Sequence, residues 1–117
     1  MYKKSEQLLD RALESIPLAS QTFSKSFTQY PRGASPFFIE KGKGSKVWDV
    51  DGNEYIDFVN SLAAVTLGYC DKDVDKAVQD QMKNGVTFSL PHILEMEVAE
   101  HLIEIIPCAE KVRFAKN

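Results

Sequence analysis

FFIEKGKGSKVWDVDGNEYID, residues 37–57, is the stretch that decides the fold. Three strand-forming runs, 37–40, 46–50 and 54–58, are separated by Gly42-Lys43-Gly44 and by Asp51-Gly52-Asn53. Glycine- and aspartate-rich turns between short β-branched and aromatic runs read as hairpins, because those residues tolerate the positive φ that tight turns require. The stretch is therefore expected to form an antiparallel meander. Strand alternation puts Trp48 and Val50 on one face, with Val47 and Asp49 on the other, and sets Tyr55 and Asp57 opposite Ile56 and Phe58.

The same stretch invites two chemical readings that its residues do not support. Asp49, Asp51 and Asn53 imitate the alternate ligands of a calcium loop, but the sixth position of that loop must be Gly and the twelfth a bidentate Glu. Here those positions hold Glu54 and Asn60, and strands rather than helices flank them. Gly42-Lys43-Gly44 lacks the third glycine and the following helix of a phosphate loop, so it reads as a turn.

Upstream, Ser5 to Ile16 reads as a helix capped by Ser5, with Leu9, Ala12, Leu13 and Ile16 at helical spacing and Pro17 as the stop. Residues 18–36 have no period. Their aromatics Phe23, Phe27 and Tyr30 argue for an ordered loop, and irregular segments of this length are usually functional.

Downstream, a small-residue apolar connector, 59–70, leads to a helix over 73–84, with Val74, Ala77, Val78 and Met82 as its stripe and Gly85 past its end. A loop containing Pro91 precedes a second helix over 93–106, with Leu94, Val98, Leu102 and Ile105 on one face and Pro107 as its stop. Residues 112–115 read as a strand. A helix–helix–strand order feeds a larger, mostly parallel sheet, and a lone strand has two unpaired edges. The chain is therefore expected to be a piece of a larger domain; the alternative is that 112–115 joins the meander as a fourth strand.

Composition limits the function. The 117 residues fit one domain at most, and 44% hydrophobic with 26% charged residues excludes a disordered or fibrous chain. A net charge of −3 without a basic stripe argues against nucleic acid and anionic membranes. The longest apolar stretch, 61–69, is too short to span a bilayer and contains Ser, Thr and Gly. With no secretory signal at Met1-Tyr2-Lys3-Lys4, the expected compartment is the cytoplasm, where Cys70 and Cys108 would be free, buried thiols. His92 and His101 are not at zinc-ligand spacing, so no metal site is expected. Ser24, Ser61 and Ser89 lack a nucleophile signature. The residues alone therefore indicate an α/β piece without a self-contained active site.

Residues 37–57, together with Leu67-Gly68, Thr87-Phe88-Ser89, the run from Glu95 to Glu100 and the closing residues 110–117, resemble the amino-terminal part of class III aminotransferases. The nearest branch is that of glutamate-1-semialdehyde 2,1-aminomutase, and the likeness runs from about Ser20 to Asn117. The resemblance implies an amino-terminal fragment of a fold-type I, pyridoxal-phosphate-dependent transferase: helix, three-stranded antiparallel meander, two helices and the first strand of the large-domain sheet. It divides the chain into an amino-terminal helix with a substrate-side loop (1–36), the small-domain meander (37–58), and the connector, helices and incomplete start of the large cofactor-binding domain (59–117).

None of the eleven lysines matches the family's Schiff-base lysine, so no catalytic residue is assigned. Pyridoxal 5'-phosphate would belong to the full-length protein, with none bound by this chain alone. The family's pocket-lining segments fall at 23–32 and 60–64, which makes Ser24, Phe27, Arg32, Asn60, Ser61 and Leu62 the expected pocket neighbours. The loop with Ser89, Leu90 and His92 would lie at the subunit boundary of a homodimer. The substrate would be a small amino/keto or aldehyde compound.

Two departures stand out. The aminomutase's carboxylate-holding Arg falls on Phe27, which cannot clamp a carboxylate, and its connector Trp falls on Leu62. They point toward a related aminotransferase of polysaccharide or amino-sugar metabolism, with a portion of the aminomutase itself as the alternative. Lys25 or Arg32 could supply the missing cation through a shift in the loop. The reading from another class is a free-standing, dimerising interaction module.

Overall fold

The computed structural model describes residues 1–115. The chain forms two compact units, Met1–Lys76 and the residues from Ala77 on.

Helix α1 (Lys3–Leu13) opens the first unit. It starts two residues before the expected Ser5, which lies inside the helix and fully buried, its Oγ accepting a hydrogen bond from Phe37 N at 2.8 Å. The cap comes from far along the chain. Asp51, in the turn after the second strand, accepts from Lys4 N (2.8 Å) and Ser5 N (2.9 Å), satisfying two amides that a helix start leaves open and placing negative charge at the positive end of the dipole. Of the expected α1 stripe, Leu9 is fully buried and Leu13 is exposed. The irregular segment after α1 folds into short 3₁₀ turns at Pro17–Ala19, Phe23–Lys25 and Phe27–Gln29. Ser26, between the last two of them, is fully buried and pairs through its Oγ with Thr28 Oγ1 at 2.7 Å.

The expected meander forms, with strands β1 (Ile39–Lys43), β2 (Lys46–Asp49) and β3 (Glu54–Ile56) in the order β1-β2-β3, all antiparallel. Val47 and Asp49 form its buried face. On the other face Lys41 lies opposite Trp48, with its Nζ 5.1 Å from the ring centroid. The register shifts between Ile39 and Lys41. The first turn is not at Gly42-Lys43-Gly44: β1 continues through Lys43 and the chain reverses at Gly44-Ser45.

Asp49 is fully buried, and its carboxylate accepts from Asp51 N, Asn53 N, Asn53 Nδ2 and Tyr55 OH at 2.8–3.0 Å. The acidic run is thus a turn whose carboxylates serve the protein's own donors, and no group of three or more candidate metal ligands occurs among the described residues.

After β3 come the one-turn helix α2 (Asn60–Ala63) and helix α3 (Lys72–Met82), which begins at Asp71, whose Oδ1 accepts from Asp73 N and Val74 N; Gly85 beyond the end of α3 has φ +101. In the second unit α4 (Ile93–Ile105) is capped by His92, whose Nδ1 accepts from Leu94 N while Glu95 Oε1 accepts from His92 N. Helices α3 and α4 match expectation, but their stripes lie open: Val74, Val78, Met82, Leu94, Val98 and Ile105 are all exposed. Residues 111–115 belong to no helix or strand, so the fourth-strand alternative does not form, and the expected large-domain strand finds no pairing within the described chain. Cys70 and Cys108 are free, as expected, but both are exposed rather than buried. Among the described residues no helix is long and apolar enough to cross a membrane.

Candidate functional site

The connector after β3 is where the backbone departs most from ordinary geometry. The one-turn helix α2 (Asn60–Ala63) is left-handed, with φ of 53, 49, 59 and 67° at Asn60, Ser61, Leu62 and Ala63. For residues with a Cβ this conformation costs roughly 1–2 kcal/mol each, and only Asn60 is of a type that visits it readily. Something must hold the turn.

Two residues do so. Asp57, just past β3, accepts from Val59 N (2.9 Å) and Asn60 N (3.0 Å) through Oδ1, and from Tyr69 OH (2.7 Å) through Oδ2. Tyr69 is itself fixed by paired backbone bonds with Gly44: Gly44 N donates to Tyr69 O at 2.8 Å and Tyr69 N to Gly44 O at 2.9 Å. Its ring lies on Gly42, where a Cβ would come within 2.5 Å of the ring carbon Cγ. That is why glycine is needed inside β1.

The hydrogen bond from Tyr69, helped by the Asn60 and Val59 amides and opposed by burial, holds the Asp57 carboxyl below the usual carboxylate range. The same hydrogen bond, with burial adding to it, pushes the Tyr69 hydroxyl up. The neighbouring pair behaves alike. Burial, then Tyr2, then Asp49 raise Tyr55. Burial works against the Asp49 carboxylate, but its donors outweigh burial and leave it lowered.

Between α2, the meander and the 3₁₀ turn at Phe23–Lys25 lies an open cleft of about 560 Å³. Of the expected pocket neighbours, Ser24, Ser61 and Leu62 line it. Asn60 lines a smaller hollow of about 250 Å³ that shares Asp57 and Tyr69 with the cleft. Phe27 is half-buried and outside the lining. Arg32 is also outside it, bound instead to α1: Nε meets Glu6 Oε2 at 2.6 Å and Nη2 meets Asp10 Oδ1 at 2.7 Å. Lys25 is the lysine on the cleft wall, which is otherwise largely apolar, with Ile39, Val47, Ile56 and Phe58 among its residues.

In the second unit, Ser89 and Leu90 are exposed, while His92 caps α4 and stacks on Phe88 with ring centroids 5.1 Å apart. No role at the cleft was legible in the sequence for Asp57, Tyr69 or Gly42. The available signal was an aspartate at a strand end three residues before an asparagine, the residue most at ease with positive φ after glycine.

The described residues do not fit a pyridoxal-phosphate site by themselves. A phosphate is commonly held by open amides at a helix amino terminus. Here the starts of α1, α3 and α4 are already capped by Asp51, Asp71 and His92. Asp57, the carboxylate on the cleft wall, is committed to Tyr69 and to backbone amides.

A sequence profile of the family "Aminotransferase class-III" matches residues 29–117. The glutamate-1-semialdehyde 2,1-aminomutase of Aquifex aeolicus (strain VF5) is 40% identical over 114 residues, which is 97% of this chain and 26% of that protein. Among solved structures, an omega-transaminase from Sphaerobacter thermophilus superposes with a TM-score of 0.80 at 31% identity, over 92% of this chain and 23% of its own. The internal aldimine form, with pyridoxal phosphate, of the FumI protein from Sphingopyxis sp. MTA144 superposes with a TM-score of 0.87 at 26% identity, over 98% of this chain and 27% of its own. The chain spans about a quarter of the length of the curated relatives it matches.

Proposed function

This chain belongs to the aminotransferase class-III family, and from that premise we propose that it is the amino-terminal, substrate-side portion of a pyridoxal-phosphate-dependent aminotransferase, inactive alone. The full-length protein would transaminate a small amino/keto or aldehyde substrate, as a homodimer in the cytoplasm. The cofactor would supply the electron sink of that reaction. This portion would supply part of the wall against which the substrate is oriented.

The observation that carries the reading is the cleft at Ser24, Ser61 and Leu62, walled by a strained turn. Backbone held in a sparsely populated region marks places where the fold gives up stability to set a surface.

An aminotransferase rather than the aminomutase fits the residues better. Phe27 stands where the aminomutase has its carboxylate-binding Arg, and Arg32 is engaged by Glu6 and Asp10. Lys25 is the remaining lysine on the wall. The lining favours a substrate with an apolar part over a hydroxyl-rich one, which weighs against the sugar-pathway expectation.

The test is to determine the intact mass of the natural gene product, record its visible spectrum for bound pyridoxal phosphate, and assay the product and the isolated 117-residue chain side by side with a panel of amine donors and keto acceptors. A longer product that carries the cofactor and transaminates, beside an isolated chain that does neither, is expected. A cofactor-free natural product of 13.2 kDa would overturn the enzyme reading and favour an interaction module. Cofactor binding or turnover by the isolated chain would overturn its assignment as inactive alone.

A further inference from the structure

We propose that Asp57 and Tyr69 form a latch that holds α2 in its left-handed conformation and so positions Ser61 and Leu62 on the wall of the substrate cleft. Both are positioning residues, and the inference rests on the proposed function only for the word substrate.

The latch has a fixed side and a working side. On the fixed side, Tyr69 has little freedom: its backbone is paired with Gly44 in both directions, and its ring lies on Gly42. Gly68, at φ +90, packs so tightly that a Cβ there would lie 3.1 Å from the Gly44 carbonyl. The direction of the hydroxyl is therefore set by the sheet. On the working side, that hydroxyl fixes Asp57 Oδ2, and Oδ1 holds the amides of Val59, the last residue before the left-handed run, and Asn60, its first. Inside the turn the remaining bonds are few: Leu62 N to Val59 O at 3.0 Å, Ala64 N to Asn60 O and, at 3.4 Å, to Ser61 O, and Val65 N to Asn60 O at 3.2 Å. Those bonds do not offset four consecutive residues at positive φ. The carboxylate bonds, charge-assisted and therefore stronger than neutral ones, tip the balance.

The test uses the full-length protein with Tyr69→Phe, which keeps the ring on Gly42 and removes only the hydroxyl. Amide hydrogen exchange at Leu62, Ala64 and Val65 is expected to quicken. KM for the amino substrate is expected to rise about tenfold, with kcat changed by no more than about twofold, as for loss of one hydrogen bond to a charged group that acts on substrate placement. Adding Ala63→Gly, at a position with φ +67 outside the cleft lining, removes the steric cost of the left-handed backbone at that residue and is expected to bring KM part of the way back toward wild type. Asp57→Asn, which keeps the whole tyrosine, must give the same pattern as Tyr69→Phe.

Unchanged exchange at the three amides overturns the latch. Faster exchange with unchanged KM, or a KM that Ala63→Gly does not lower, overturns its role in positioning. If the wild-type full-length protein neither binds pyridoxal phosphate nor transaminates, the proposed function falls and the substrate role with it, while the exchange data still decide whether the latch exists.

Discussion

At the scale of single residues, carboxylates do most of the organising work in the first unit. Asp49, Asp51 and Asp57 each accept bonds from two or more donors: Asp49 ties the β2–β3 turn, Asp51 the start of α1, and Asp57 the connector. The Asp57–Tyr69 pair gives a pH prediction with a definite sign. The Asp57 carboxyl is lowered in the folded chain, so its contribution is fully present above the ordinary carboxylate value and is lost as pH falls through the lowered one. Tyr69 is raised, so its contribution is present below the ordinary tyrosine value and lost only as pH rises beyond it. The thermal midpoint of the wild-type chain should therefore exceed that of Asp57→Asn by a constant margin between about pH 5 and 9, a margin that closes below about pH 4, going by ordinary side-chain values. Melting curves at a series of pH values check this. A margin that stays open in acid would mean that the ionised carboxylate is not what stabilises the turn.

At the scale of elements, α1 is held onto the meander by a cap that comes from the β2–β3 turn. Asp51→Ala removes the acceptor of the Lys4 and Ser5 amides and is expected to cost about 1–2 kcal/mol, with helical circular dichroism lost at lower urea than in the wild type; Asp51→Asn should cost less. Equal urea midpoints for Asp51→Ala and wild type would show that α1 docks through Leu9 and Ser5 alone. The sequence could not reveal this cap, because the partners are forty-six and forty-seven residues apart and Ser5 offered a plausible local one. The pattern that carried α1, the three strands, α3 and α4 was local, made of apolar spacing, turn residues, Pro17, Gly85 and Pro107. What the pattern missed was tertiary. Gly42 looked like a turn residue but is a strand residue under the Tyr69 ring. Asn60–Ala63 contains no glycine to announce left-handed backbone. Arg32 looked free until Glu6 and Asp10 appeared beside it. Ser24, Ser61 and Leu62 came from family resemblance, since no spacing rule links residue 24 to residue 61.

At the scale of the whole molecule, the question is where the apolar surface goes. The chain is 44% hydrophobic, yet Leu9, fully, and Val47, nearly so, are the only buried apolar side chains among the described residues. Helix α4 shows the imbalance most clearly. Leu94, Val98 and Ile105 lie on one stripe at helical spacing and are 44, 46 and 56% exposed, while Glu97, Glu100 and Glu104 are exposed as well. An apolar stripe left open on this scale ordinarily meets another protein surface. Removing it from water would be worth about 25 cal/mol per Å² covered, a gain that another copy of the chain can supply. The 13.2 kDa chain is therefore expected to self-associate at concentrations on the order of 10 µM, read by sedimentation velocity. Val98→Lys with Ile105→Lys should shift it toward monomer while leaving the helical signal of α4 unchanged, because both side chains already stand more than two-fifths in solvent and Lys is a good helix former. A wild-type chain that remains monomeric at that concentration would mean that the stripe is covered in solution by other parts of the same chain.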